Sequence, residues 1–145
     1  MTYIENLKFK EMDSWIFISS PKRFRMDDWL KANQFIEFVQ NNNVQVGDII
    51  YLYTTAPVQK IEYKLVVDKV NIPYEFSIDD SEYSLLSGSP ECFKDKLFCR
   101  FKLIKRVNNP DLHLSVLREH GLKSSMQAPF KVSGPLLDYI ESRFR

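Results

Sequence analysis

The residues of this sequence most suited to ligand contacts are three basic ones, Lys22, Arg23 and Arg25, which directly follow an apolar, aromatic segment. Such side chains are suited to contacts with the phosphates of a nucleic acid. The same run is also typical of an ordinary solvated face. The 20 basic residues are nearly balanced by 19 acidic ones, for a net charge of +1. Nucleic-acid binding would therefore depend on a local patch and not on the overall charge.

The histidines and cysteines do not form a predicted catalytic or metal site. His113 and His120 are seven residues apart on one predicted helix, a rise of about 10.5 Å, which is too far for both to bind one metal ion. Cys92 and Cys99 lack a metal-ligand spacing, and Cys99 alternates with Arg100 as a small core residue would. The sequence does not exclude a Cys–His nucleophile pair, although no motif indicates one. We predict no metal and no cofactor.

Recognised catalytic motifs are also absent from the sequence. The chain has four glycines and no phosphate-binding loop, dinucleotide-binding fingerprint, zinc-protease motif or nucleophile-elbow motif of the hydrolases. The acidic pairs Asp27-Asp28 and Asp79-Asp80 are sequence neighbours, which do not face one another on a helix or a strand. We interpret them as helix-start and turn residues. The sequence favours a binding protein over an enzyme.

Length and composition indicate an ordinary small domain. A chain of 145 residues buries roughly 68–70% of its unfolded surface, which is sufficient for one core. The 14% aromatic content favours β-sheet. Two cysteines are too few for a disulfide scaffold, and no secretory signal or membrane-spanning apolar run is visible. We expect a single domain over residues 1–145, soluble and cytoplasmic, with no membrane partner.

Strands and short helices alternate along the first half of the chain. Apolar, β-branched and aromatic runs predict strands, and early acidic residues predict a helix start. The predicted elements are a strand over Ser14–Ser20, a helix over Met26–Phe35, a turn at Asn41–Asn43, and strands over Ile49–Thr54 and Lys60–Val70, the last two forming a hairpin.

The second half begins with a long excursion over residues 71–96, which proline, glycine and aspartate punctuate. A half-buried strand follows over Leu97–Val107. A helix from Asn109-Pro110 ends at Gly121, and residues 124–131 are predicted to be a loop. The last helix has Ser133 as its N-cap and Pro135 in its first turn. The predicted fold class is α+β.

Three pieces of the sequence, read together, resemble a known family. They are Trp15–Pro21; Val46-Gly47-Asp48 through Tyr53, with Ala56-Pro57 and Lys60–Val67; and Leu117–Ser125, with Gln127, Pro129 and Leu136–Ile140. In order and spacing they resemble the EVE domain, a PUA-superfamily barrel related to the YTH and ASCH domains. The resemblance extends over nearly the whole chain. It implies a PUA-like mixed β-barrel of five or six strands, flanked by short helices, with a pocket at one end.

The resemblance also implies a set of site residues, because relatives of this fold bind modified bases in RNA or DNA. Phe38 stands where a tryptophan is expected, and Ser20 where close relatives have a polar amide. Phe38 and Tyr53 would sandwich a flipped base, each stack contributing roughly 1–3 kcal/mol. The implied base pocket comprises Ser19, Ser20, Pro21, Phe38, Tyr53, Thr54, Thr55, Ser124, Ser125 and Gln127. The implied phosphate contacts are Lys22, Arg23, Arg25, Lys123 and Lys131.

The functional prediction is therefore a non-catalytic module that binds DNA or RNA and accommodates a flipped, for example methylated, base. One alternative is that the same barrel binds a small molecule or a protein instead of a nucleic acid. Separately, Phe38 and Tyr53 are also open to interpretation as core residues, as aromatic residues beside strands usually are. A further alternative is an ASCH-like hydrolase acting on modified nucleosides, with Thr55 or Lys60 as the nucleophile beside Glu62.

Overall fold

The computed structural model describes residues 12–85 and 94–145, so the predicted features of Cys92 lie outside the described residues. Within these described residues, three short 3-10 turns, at Tyr74–Phe76, Ser81–Tyr83 and Pro110–Leu112, connect the regular elements. The regular elements are β1 (Ser14–Ser19), α1 (Met26–Ala32), β2 (Phe35–Val39), β3 (Ile49–Thr54), β4 (Lys60–Pro73), β5 (Leu97–Arg106), α2 (Leu114–Glu119), β6 (Phe130–Val132) and α3 (Gly134–Ser142).

The described strands form one six-stranded mixed sheet with the order β2-β5-β4-β3-β1-β6. β1 runs parallel to β3, and the other neighbouring pairs are antiparallel. The predicted hairpin between β3 and β4 is confirmed. The sheet curls into a half barrel with short helices against it, so the predicted α+β fold class is confirmed.

Alternation along the central strands divides the apolar side chains between two cores, one on each face of the sheet. Trp15 and Phe17 of β1 belong to the α1-side core, and Ile16 belongs to the α3-side core. The α1-side core comprises Trp15, Phe17, Met26, Trp29, Leu30, Ile36, Val44, Ile50, Leu52, Tyr63, Leu65, Val67, Cys99 and Phe101. The α3-side core comprises Ile16, Tyr51, Tyr53, Ile61, Leu112, Leu117, Leu122, Met126, Val132, Ile140 and Phe144.

A buried carboxylate fixes the turn that precedes β3. Asp48, 1% exposed, accepts hydrogen bonds from the backbone N–H groups of Asp13 and Gln45 and from the indole N–H of Trp15, at 2.9–3.1 Å. Gly47 has a φ of +94°, which glycine adopts without steric cost. The Gly47-Asp48 pair therefore joins the starts of β1 and β3 and sets these parallel strands in register.

Two strands were not predicted from the sequence, and two helix boundaries were wrong. The helix predicted to Phe35 ends at Ala32, where the side chain and backbone N–H of Asn33 both donate to Trp29 O. β2 then begins at Phe35, pairing with β5. The loop predicted over 124–131 ends inside β6, which pairs with β1 along its edge. Three-residue and five-residue strands carry too little alternation for a pattern to reveal them.

The helix predicted from Asn109 to Gly121 is divided into a 3-10 turn and α2. The break falls at His113, whose backbone forms a bridge with Lys60 of β4 and whose ring accepts the N–H of Ser115 as an N-cap. Tertiary pairing with the sheet therefore overrides helix propensity here. His120 lies at the other end of α2, and its ring stacks on Tyr139 with centroids 3.6 Å apart.

The segment 74–85 lies against the chain before α1. Its backbone pairs with that connection through Arg25 N to Tyr83 O and Leu85 N to Arg23 O, both at 2.8 Å. The ring of Tyr83 meets Trp29 edge-on, with centroids 5.1 Å apart. Part of the predicted 71–96 excursion thus supports the connection between β1 and α1.

Candidate functional site

A cleft of about 270 Å³ opens at the carboxyl ends of β1 and β3. Ser19 and Thr54 are register partners at the ends of these parallel strands, so their side chains lie on the same face. The start of α1 and the end of β5 form the remaining walls. The cleft is lined by Ser19, Pro21, Phe24, Arg25, Met26, Asp27, Asp28, Thr54, Val58, Glu62, Tyr63 and Arg106.

A β-bulge directs Glu62 into this cleft. Tyr53 pairs with Ile61 and Leu52 pairs with Tyr63, so Glu62 is an extra residue between two paired ones. Because of the bulge, Ile61 belongs to the α3-side core while Tyr63 belongs to the α1-side core. The Oγ1 hydroxyl of Thr54 donates a 2.9 Å hydrogen bond to Glu62 Oε1. A hydroxyl and a carboxylate are thereby fixed side by side on one wall.

Asp27, Tyr63 and Arg106 form the opposite polar wall. The phenol of Tyr63 and Nε of Arg106 both donate to Asp27 Oδ1 at 2.8 Å. Burial by itself would raise the pKa of Asp27, but the hydrogen bonds from Tyr63, Lys31 and Arg106 hold it below its usual value. Burial, together with the bond to Asp27, raises the pKa of Tyr63 above that of a free phenol. Asp27 therefore stays ionised and Tyr63 stays neutral at physiological pH.

The aromatic wall of the cleft is Phe24, which is half-buried. Its ring packs edge-on to Trp29, at 6.5 Å between centroids, and lies 6.4 Å from Tyr83 at a tilt. The guanidinium of Arg25 lies 4.9 Å above the ring of Tyr83 and donates to Glu82 O at 2.8 Å. These contacts hold the Phe24 ring in place from behind.

Of the predicted pocket residues, Ser19, Pro21 and Thr54 line the cleft. Ser20 and Thr55 are half-buried beside it, and they fix the backbone: Thr55 N donates to Ser19 O at 2.9 Å, and Ser20 O accepts from Phe24 N at 3.1 Å. These predicted residues are therefore brought together at one place.

Phe38 and Tyr53 do not line the cleft, and they cannot sandwich a base. Phe38 packs against the α1-side core, stacked on Phe101 at 5.4 Å between centroids and edge-on to Phe17 at 5.6 Å. Tyr53 is 2% exposed in the α3-side core, where burial raises the pKa of its phenol. The two rings lie on opposite faces of the sheet, which corrects the predicted sandwich and agrees with the alternative that both are core residues.

The predicted phosphate contacts are also divided between two places. Lys22 and Arg23 are exposed between the cleft residues Pro21 and Phe24, and Arg25 lines the cleft itself. The other two predicted phosphate contacts, Lys123 and Lys131, line a separate groove of about 480 Å³. Of the residues predicted for the base pocket, Ser124 lines this groove as well, whereas Ser125 and Gln127 are exposed and line neither the cleft nor this groove.

In the hydrolase alternative, the structure places Thr54, and not Thr55 or Lys60, in a hydrogen bond with Glu62. The ammonium of Lys60 instead donates to the side chain of Asn108. Within residues 12–85 and 94–145, no cluster of histidine, cysteine or carboxylate side chains is suited to holding a metal ion. No helix in this part of the chain is long and apolar enough to cross a membrane.

Sequence reasoning named Thr54 and Glu62 of one polar wall but missed the wall formed by Asp27, Tyr63 and Arg106. Asp27 was interpreted as a helix-start residue, and Tyr63 and Arg106 as members of strands. Each of these assignments is correct locally, but none indicates that the three side chains meet. The pairing of β4 with β5, which sets Tyr63 opposite Arg106, brings them together. The sequence carried no motif that could have shown it.

Comparisons with known proteins support the fold alone. No known protein family matches the sequence, and no curated protein is similar to it in sequence. Among solved structures, ASCH from Zymomonas mobilis matches with a TM-score of 0.64 at 12% identity, over 91% of this chain and 96% of that chain. The chain has the PUA-like fold of the ASCH domains.

Two further solved structures are similar to this chain. A hypothetical protein from Leishmania major matches with a TM-score of 0.61 at 18% identity, over 91% of this chain and 94% of that chain. Rpa0253 from Rhodopseudomonas palustris matches with a TM-score of 0.63 at 12% identity, over 92% and 93%. The PUA-like part of the sequence resemblance is thus confirmed through ASCH proteins, while the narrower EVE assignment stays a prediction.

Proposed function

We propose that this protein is an EVE-like, non-catalytic nucleic-acid-binding module that accepts a flipped, for example methylated, base of DNA or RNA in the cleft at the ends of β1 and β3. The observation that carries the proposal is the composition of this cleft. It combines an aromatic wall, Phe24, with polar side chains whose directions are fixed by hydrogen bonds to one another. These side chains are Thr54, Glu62, Asp27 and Arg106. A flipped base requires both a stacking surface and partners for its polar edge.

The size and placement of the cleft support this reading. Its volume of about 270 Å³ lies just below the range of drug-sized pockets, roughly 300–1,000 Å³, and suits a small planar group. Lys22 and Arg23 are exposed on the segment that borders it. Basic side chains at the mouth would contact the phosphates on either side of an extruded nucleotide. The ASCH fold of the chain agrees with such a role without specifying the ligand.

Binding should be tested first with fluorescently labelled oligonucleotides, plain and carrying methylated or hydroxymethylated cytosine or methylated adenine, in DNA and RNA, at two salt concentrations. We expect affinity to fall steeply as salt rises, because phosphate contacts release counterions. Lys22→Ala should weaken binding and reduce the slope of log affinity against log salt by about one.

The matched control for that experiment is Lys69→Ala. Lys69 is an equally exposed lysine on β4, about 20 Å along the strand from Glu62 at the usual rise per residue. Its removal should leave both affinity and salt slope unchanged. Equal losses in the two variants would point to non-specific attraction, and an absence of binding to every oligonucleotide at low salt would refute the nucleic-acid proposal.

A second candidate function, amide hydrolysis on a modified nucleoside, is favoured by one observation. Thr54 Oγ1 donates to Glu62 Oε1 at 2.9 Å, the arrangement in which a carboxylate can accept the proton of an attacking hydroxyl. The test is chromatography of N-acylated nucleosides after incubation with wild-type protein and with Thr54→Val. Release of free nucleoside by the wild type alone would establish catalysis, whereas oligonucleotide binding without release would leave the binding function.

A further inference from the structure

The walls of the cleft offer hydrogen-bond acceptors more readily than donors. The hydroxyl of Thr54 uses its proton in the bond to Glu62 Oε1, where the carboxylate oxygen is the acceptor. The remaining lone pairs on Thr54 Oγ1 can then only accept. Among the residues that the structure describes, Thr54 is the one side chain seen to donate to the carboxylate of Glu62, which leaves Oε2 able to accept from a ligand.

The charged residues of the cleft strengthen this bias. Its lining contains three carboxylates, on Asp27, Asp28 and Glu62, against the two guanidiniums of Arg25 and Arg106. Both arginines already have protein partners. Arg106 donates to Asp27 at 2.8 Å, and Arg25 lies 3.7 Å from Asp28 while donating to a backbone carbonyl. A phosphate inside the cleft would meet a net negative lining, so the cleft is suited to the base and not to the backbone.

These groups distinguish bases by their exocyclic substituents. An amino group presents N–H donors toward Glu62 Oε2 and Thr54 Oγ1, whereas an oxo group at the same ring position presents lone pairs to them. A buried acceptor that faces another acceptor loses its hydration without gaining a hydrogen bond. The penalty falls on oxo-substituted bases at the position that faces Glu62.

We infer that the cleft selects bases bearing an exocyclic amino group over their oxo counterparts, with Glu62 as the specificity-determining residue. This inference rests on the proposed function. Cytosine and uracil form one matched pair, and adenine and hypoxanthine form another. The members of each pair differ by amino against oxo at one ring position and in the adjacent ring nitrogen, which accepts in the amino-bearing base and carries a proton in its oxo counterpart. The aromatic contact with Phe24 is sequence-tolerant and does not distinguish between the members of a pair.

The test uses short oligonucleotides that carry one central base, either cytosine, uracil, adenine or hypoxanthine, flanked by abasic sugars. The wild-type protein should bind each amino-bearing strand roughly tenfold or more tightly than its oxo partner. Glu62→Gln should bring the ratio within each pair close to one, because its NH₂ group would donate toward the ligand where the carboxylate accepts, while Thr54 Oγ1 still accepts. Glu119→Gln, the same change at an exposed residue of α2, should keep the wild-type ratio.

The outcomes separate this inference from the function beneath it. Binding to all four strands with equal affinity would overturn the selection by amino groups but leave the nucleic-acid proposal standing. No binding to any strand would overturn both. A ratio unchanged in Glu62→Gln, with a melting curve that shows the variant folded, would remove Glu62 from its assigned role. Thr54 can still donate to the amide oxygen of this variant, so we expect the fold to be retained.

Discussion

The hydroxyl oxygen of Thr54 lies 2.9 Å from Oε1 of Glu62, although regular pairing of β3 with β4 would not place these two side chains together. The bulge after Ile61 produces this contact, because it adds one residue and turns Glu62 toward the α1 side of the sheet. Bulges commonly redirect a side chain next to a functional site. Here the bulge gives the cleft its carboxylate.

Replacing Thr54 by valine tests this contact with little change of shape. Thr54→Val removes the donor to Glu62, which is half-buried and can recruit water in its place. We expect a loss of about 1 kcal/mol in the free energy of unfolding, measured by urea denaturation. Oligonucleotide affinity should fall as well, because the variant presents a methyl group to the polar edge of the base. Unchanged affinity would place the binding site elsewhere.

Replacing Phe38 and Phe24 by alanine should distinguish a core residue from a residue of the cleft. Phe38→Ala removes a half-buried ring that stacks on Phe101, so it should destabilise the fold by about 2–4 kcal/mol while the folded fraction binds oligonucleotides normally. Phe24→Ala removes the aromatic wall of the cleft and should weaken binding by about 1–3 kcal/mol. Thermal melts and anisotropy titrations measure the two effects. The reverse result, with binding lost only in Phe38→Ala, would restore the sequence-based pocket.

The fold class could be predicted because β1 and β3 are continuous apolar runs and β4 and β5 are rich in apolar residues that alternate at least partly. The family resemblance also located the strand ends that form the cleft, Ser19 and Thr54. The same resemblance assigned Phe38 to the pocket, but the ring packs against the α1-side core, because order and spacing along the chain do not show which face of a sheet a side chain occupies. Glu62 could not be placed by pattern, since a single-residue bulge leaves no mark in the sequence.

Asp48 should be among the least replaceable residues of the chain. Its carboxylate receives three donors while 1% exposed. In Asp48→Asn, one of the two oxygens becomes an NH₂ group that faces donors, so at least one N–H group is left unsatisfied. We expect a loss of about 2–3 kcal/mol in the free energy of unfolding, measured by urea denaturation at neutral pH. The matched control is Asp138→Asn on the exposed side of α3, which should change stability by less than about 0.5 kcal/mol.

The carboxyl of Asp80 should make stability depend on pH. Burial, together with the nearby carboxylates of Glu37 and Asp79, raises the pKa of Asp80 to about 6. Glu37 is itself held in position by Arg100 Nε at 2.8 Å and by the N–H of Ile78 at 2.7 Å. The folded protein therefore keeps the Asp80 proton at a pH where the unfolded chain has already released it.

The sign of the effect follows from this difference in proton binding. The stabilising contribution of protonated Asp80 is fully present below the unfolded pKa, about 4, and is lost as pH rises through the folded pKa of about 6. Asp80→Asn removes this titration. The variant should therefore gain stability relative to wild type between these two pH values, by about 1 kcal/mol at neutral pH after solvent screening. Urea denaturation of both proteins across that range measures the difference, and two parallel stability curves would show that Asp80 titrates as an ordinary exposed carboxyl group.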